Sequence, residues 1–157
     1  MESMESRMVK LYARNNNHVA LHAIPGHFAT SHSHINFYID MTSLKTRANE
    51  AQEVAKSLAG DYVNSTVVDT IVCMDGTEVV GAYLAQEFEK RGFRNTNLHN
   101  TIYVVTPEYN ANNQLIFRDN TIPAIKGKNV ILLLATTTTG LTVRRSLECV
   151  QYYGGIL

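Results

Sequence analysis

A chain of 157 residues has room for one domain with its own core, and 45% hydrophobic against 18% charged residues is the balance of a folded chain, not a disordered one. Its 14 lysines and arginines equal its 14 acidic residues, so it has no basic field to neutralise a polyphosphate, and no nucleic acid partner is expected. The longest aliphatic run, Val130 to Ala135, is far short of the ~20 residues of a membrane helix, and MESMESRMVK has no signal-like apolar region; no membrane partner and a cytoplasmic location are expected.

Met1 to Arg14 is a mixed stretch that reads as a short helix, ended by Asn15-Asn16-Asn17. From His18 to Met41 the pattern is extended, with a turn expected at Pro25-Gly26 and β-branched and aromatic residues towards the end. Ser43 offers an N-cap, and Leu44, Ala48, Ala51, Val54, Ala55, Leu58, Ala59 and Tyr62 recur at helical spacing, which predicts one long amphipathic helix. DTIVCM, from Asp69 to Met74, is a short apolar strand, DGTE a turn, and VVGAYLAQEFEKRG a helix closed by Gly92. TIYVVT, from Thr101 to Thr106, is the next strand. A long polar loop from Pro107 to Gly127 follows, with a small ribbon at QLIFRD. NVILLLA is a further buried strand and GLTVRRSLECVQYY a further helix, stopped by Gly154-Gly155.

Strands that are apolar throughout and alternate with helices predict an open, mostly parallel α/β sheet with helices on both faces. In such sheets ligands sit beyond the carboxyl ends of the strands. The loops that matter are therefore Asp75-Gly76-Thr77-Glu78, Pro107 to Gly127, and Thr136 to Thr142.

Four threonines and a glycine stand where the NVILLLA strand gives way to a helix. A helix start presents free N–H groups and partial positive charge, glycine permits close backbone approach, and threonine hydroxyls add donors around a tetrahedral anion. Thr136, Thr137, Thr138, Thr139, Gly140, Leu141 and Thr142 thus read as a phosphate cradle, or more plainly as a strand end and an N-cap. Neither G-x-x-x-x-G-K-[ST] nor a G-x-G-x-x-G following a strand is present.

Val130-Ile131-Leu132-Leu133 followed by Thr138-Thr139-Gly140-Leu141-Thr142 resembles the phosphoribosyl pyrophosphate signature of type I phosphoribosyltransferases. In that family two acidic residues that hold the ribose hydroxyls follow the apolar four. Here those positions are Leu134 and Ala135. SHSHINFYID, from Ser31 to Asp40, resembles the orotate phosphoribosyltransferase stretch that ends Y-Y-I-D, which implies that Phe37 and Tyr38 lie beside the base. Thr30 stands in place of the lysine that precedes that stretch. The strand, DGTE turn and helix of IVCMDGTEVVGAYLAQEF sit where the family has its pyrophosphate loop, so Asp75, Gly76, Thr77 and Glu78 are expected to offer backbone amides to a diphosphate. The side chains of Asp75 and Glu78 repel an anion unless they hold magnesium, and they equally suit a helix N-terminus. VTPEYNANNQLIFRDN departs from the family's lysine-rich mobile loop: no lysine occurs from Thr96 through Ala124, and Arg118 is the only cation of the VTPEYNANNQLIFRDN loop.

The resemblance implies a phosphoribosyltransferase-like fold, with residues 1–41 as an N-terminal helix and hood and residues 42–157 as the α/β core. The family continues with another strand and more of the hood where this chain reaches Ile156-Leu157, so truncation or completion by a partner is expected. The implied ligand is phosphoribosyl pyrophosphate or a nucleotide monophosphate, with Mg2+ as cofactor and a homodimer by analogy. Two functions stay open. One is transfer of phosphoribose to a pyrimidine such as orotate with release of pyrophosphate. The other is a non-catalytic nucleotide- or phosphosugar-binding regulatory module, and a scaffold with a vestigial pocket is a third reading.

His32 and His34 share a strand face and suit two metal ligands, but no third ligand stands at a diagnostic spacing, so structural or surface roles are expected. Cys73 and Cys149 form no C-x-x-C and read as core residues.

Overall fold

A computed structural model describes residues 3–31 and 33–157. Its first unit is a three-stranded antiparallel sheet of β1 (Val9–Ala13), β2 (Asn16–Ala29) and β3 (His34–Asp40), in that order. This corrects the helix expected before Arg14: among the described residues of that stretch only Glu5–Arg7 is helical, as a 3-10 turn, and Val9–Ala13 is strand. Apolar and polar residues alternate through VKLYA, and a two-residue turn at Arg14-Asn15 folds it back so that Leu11 pairs with Leu21 and Val9 with Ala23. The turn expected at Pro25-Gly26 is absent as well. β2 runs through both residues, and its register to β3 slips between Pro25 and Phe28, a bulge that accommodates a residue with no N–H to give.

The helix expected from Ser43 to Tyr62 is two helices, α1 (Thr42–Thr46) and α2 (Ala48–Gly60). Arg47 between them is extended, at φ −87° and ψ 121°. The hydroxyl of Thr46 donates back to the carbonyl of Thr42 at 2.6 Å, a local bond that competes with helix continuation. Ser43 is not a cap; Asp40 accepts from the Thr42 amide at 2.9 Å just before the helix.

The second unit is a three-stranded parallel sheet, β5 (Tyr103–Val105), β4 (Thr70–Cys73) and β8 (Val130–Leu133), with β4 in the middle. Side chains alternate along β4. Ile71 and Cys73 pack with Ala55 and Ala59 of α2 and with Leu84 and Phe88 of α3 (Glu78–Lys90), whereas Val72 and Met74 pack with Val150 of α4 (Leu141–Tyr152). α3 can lie this close to β4 because Gly81 faces the sheet: a Cβ there would run into Cys73 Sγ and stand 3.3 Å from Val104. Burial pushes the Cys73 thiol up to about 12, so this cysteine is a packing residue and not a nucleophile.

The stretch from Pro107 to Gly127 is less of a loop than its polarity suggests. It forms an antiparallel ribbon, β6 (Glu108–Tyr109) with β7 (Leu115–Ile116), and a 3-10 turn at Ile122–Ala124. Phe117 and Ile125 from this segment are buried with Val72, Val130 and Val150. At the end of the chain, Ile156 bridges to Asn129 in parallel, with Val130 N–H donating to the Ile156 carbonyl at 2.7 Å. Among the described residues no helix is long and apolar enough to cross a membrane.

Candidate functional site

The carboxyl ends of β4 and β8 are tied together before their loops begin. Met74 N–H donates to the Leu133 carbonyl at 2.9 Å, and the Thr77 hydroxyl reaches both the Met74 carbonyl at 2.7 Å and the Leu133 carbonyl at 3.3 Å. Thr77 is therefore buried, and its hydroxyl proton is committed to fixing the turn. Asp75 and Gly76 between them both adopt left-handed backbone, at φ 56° and 75°. Asp75 holds this conformation without glycine's freedom, a strained arrangement that turns the chain sharply. The amides of Asp75, Gly76 and Glu78 donate to no described residue.

Beside this turn runs the threonine loop. Gly140, at φ 80°, is the residue that lets the chain swing into α4, and a Cβ built on it would meet nothing within 4 Å. α4 has no side-chain cap, and the amides of Thr142 and Val143 have no partner among the described residues. Thr139 Oγ1 accepts weakly from the Leu141 amide at 3.4 Å, while the hydroxyls of Thr136, Thr137, Thr138 and Thr142 are unengaged among the described residues. Thr136 through Thr142 and Asp75 wall a cavity of about 180 Å³. Amides, hydroxyls and the positive end of a 12-residue helix converge there, which is a donor set for a tetrahedral anion. One carboxylate, that of Asp75, opposes it.

Lys45 of α1 supplies the local positive charge. Its Nζ donates to the Asp75 carbonyl at 2.9 Å and stands 3.8 Å from where a Gly76 Cβ would be. Nothing in the sequence marks Lys45 for this place, because it lies 30 residues from Asp75 and only tertiary packing brings it here. Glu78 turns away to β5, accepting from the Thr106 hydroxyl at 3.2 Å.

A second cavity, of about 190 Å³, is lined in part by residues next in sequence to those of the first. Met41, Leu44, Lys45, Val54, Leu58, Thr77, Val80, Leu133, Leu134 and Ala135 line it. Leu134 and Ala135, the positions where the resemblance leads one to expect carboxylates, are thus part of an apolar wall.

The structure does not gather every residue singled out above. Phe37 and Tyr38 lie on β3 in the antiparallel sheet, are 55% and 44% exposed, and line neither cavity. As neighbours on a strand they point to opposite faces. Tyr38 packs against Phe28 with ring centres 5.7 Å apart. Arg118 is held by Glu108 of the ribbon at 2.8 Å, away from the threonine loop. His34 Nδ1 lies 2.8 Å from His27 Nε2; His32 falls outside the described residues, and no cluster of three metal-ligating side chains occurs among the described residues.

No family model and no curated protein matches this sequence. Solved structures do. The crystal structure of Mycobacterium tuberculosis H37Rv orotate phosphoribosyltransferase in complex with Fe(III) dicitrate is similar at a TM-score of 0.51 and 16% identity, over 86% of this chain and 72% of that one. The same enzyme in complex with inorganic phosphate is similar at a TM-score of 0.50 and 15% identity, over 85% of this chain and 69% of that one. The chain has a phosphoribosyltransferase-like fold. At this identity the likeness speaks for the fold alone, and function has to be argued from the two cavities.

Proposed function

We propose that the protein is a phosphoribosyltransferase-like module that binds a phosphomonoester on the loop from Thr136 to Thr142 without transferring phosphoribose. The observation that carries this is the cavity of about 180 Å³, in which the hydroxyls of Thr136, Thr137, Thr138 and Thr142 and the amides of Thr142 and Val143 have no partner among the described residues. In this reading the parallel sheet is covered on both faces, β1 to β3 stand in place of the hood, and the Asp75 to Glu78 turn with Lys45 forms the second anion-facing wall. Phosphoribosyl pyrophosphate or a nucleotide monophosphate are the ligands that the resemblance implies.

Turnover is disfavoured by two independent features. Departure of pyrophosphate needs cations delivered to the developing charge. From Val105 to Asn120 the chain has only Arg118 to give, and Glu108 holds it. The wall beside the phosphate loop carries Leu134 and Ala135, which cannot accept hydrogen bonds from ribose hydroxyls through their side chains. Magnesium fits poorly as a resident ion: Asp75 is the one carboxylate on the cavity wall, and Glu78 bonds to Thr106. The ion would depend on oxygens brought by a diphosphate.

Calorimetric titration with inorganic phosphate, ribose 5-phosphate and phosphoribosyl pyrophosphate, with and without magnesium, combined with an assay of pyrophosphate release with orotate, tests the reading. Phosphate-bearing ligands are expected to bind, with no pyrophosphate released. Release with orotate would establish the enzyme instead, and failure of all three to bind would remove the loop as a phosphate site.

A further inference from the structure

We infer that the phosphomonoester carries an apolar body, seated in the cavity beside the threonine loop, and that Lys45 bridges its two ends. This rests on the phosphate reading above and narrows the ligand within it.

The two cavities are continuous in the chain: Ala135 lines one and Thr136 the other. On the opposite side, Thr77 lines the apolar cavity and Asp75 the polar one. Leu44 of α1, Val54 and Leu58 of α2, Val80 of α3, and Leu134 form the apolar wall. The single Thr77 hydroxyl proton is directed at two backbone carbonyls, so Thr77 has no free donor for a ligand. Apart from Lys45 and Thr77 the side chains of this cavity are apolar, so an apolar guest is matched there, whereas a sugar would leave most of its hydroxyls unpaired. Lys45 is the one charged residue of this cavity, and its Nζ bonds to the carbonyl of Asp75 on the rim of the other. A single cation between an apolar chamber and an anion cradle complements a ligand with a phosphate head and a hydrocarbon or aryl body. Leu134 and Ala135 on this wall are half-buried.

The probes are inorganic phosphate, ribose 5-phosphate and hexyl phosphate, titrated into the full chain by calorimetry. Hexyl phosphate is expected to bind at least about tenfold more tightly than inorganic phosphate, a conservative return for burying a six-carbon chain. Ribose 5-phosphate should gain nothing over inorganic phosphate. Ala135→Leu, which fills the chamber, should remove the advantage of hexyl phosphate and leave inorganic phosphate unchanged, and Lys45→Met should weaken both. Independently of any variant, intermolecular NOEs from the hexyl methylenes to the methyls of Leu44, Val54 and Leu134 are expected. Equal affinity for hexyl phosphate and inorganic phosphate, preference for ribose 5-phosphate, or absence of those NOEs would overturn the inference while the phosphate site stands. If none of the three probes binds, the phosphate reading falls and takes this inference with it.

Discussion

The two ends of the parallel sheet are built on opposite principles. At the amino end, Asp69, just before β4, is fully buried. Its Oδ2 accepts from the amide and side chain of Asn129 at 2.8 and 2.7 Å, and its Oδ1 accepts from the amide and hydroxyl of Thr96, the latter at 2.9 Å. Asn97 adds a bond from its side chain to the Asp69 carbonyl at 2.8 Å. One carboxylate thus pins the loop before β5 and the start of β8 to β4. At the carboxyl end, four threonine hydroxyls and several amides are unengaged among the described residues. Polar groups closed on one another make stability, and polar groups held open at a cavity are available to a ligand.

The largest effect should come from breaking the closed end. Asp69→Ala strands the buried donors of Thr96 and Asn129, and the expected loss is about 3 kcal/mol of unfolding free energy in urea titration. Phosphate affinity of the molecules that remain folded should not change. Burial raises the Asp69 pKa, but the four hydrogen bonds outweigh it and hold the carboxyl below its ordinary value. A depressed folded-state pKa contributes stability above the unfolded value of about 3.9 that is lost as pH falls through the folded one. Stability should therefore hold down to about pH 4 and decline below it. The decline should be shallower in Asp69→Asn; an unchanged acid limb would mean that other carboxylates set it.

Gly140→Val is the complementary change at the open end. Its side chain projects where nothing now stands within 4 Å and its β-branched backbone resists a φ of 80°. Phosphate binding should fall by roughly a hundredfold, with α4 still formed by circular dichroism and a stability cost of about 1–2 kcal/mol. Retained affinity would show that the anion sits elsewhere. Between the two ends, Gly81→Ala forces α3 off Cys73 and should cost about 1–3 kcal/mol in the same urea assay, with little change in ligand affinity.

How far the sequence speaks for this arrangement differs between the ends. β4, β8, α3, α4 and both loops follow from apolar runs, helical spacing and the glycines at 92 and 140, because those signals are local. β1 reads as helix until its hairpin partner is known, since the five-residue alternation of VKLYA is short and is extended as strand by pairing with β2. Phe117 and Ile125 sit in a polar stretch whose burial is decided by α4 and β8. Lys45 and the apolar chamber are tertiary products of α1 and α2 folding over the sheet end, and no spacing announces them. Leu134 and Ala135 are the exception: a departure visible in the sequence marks the wall of that chamber.

The smallest change is also the most discriminating. Thr138→Val preserves shape and removes one hydroxyl that bonds to no described residue. If the loop is only a strand end and a helix start, the substitution is silent in every assay, because an exposed hydroxyl with no partner contributes little to folding. If the hydroxyl donates to a phosphate, affinity should drop by about tenfold, the worth of a hydrogen bond to a charged group. Stability should stay within about 0.5 kcal/mol in both cases. Calorimetry with inorganic phosphate on this variant therefore separates a cradle from a cap without disturbing the fold, and an unchanged affinity would take Thr138 out of the site.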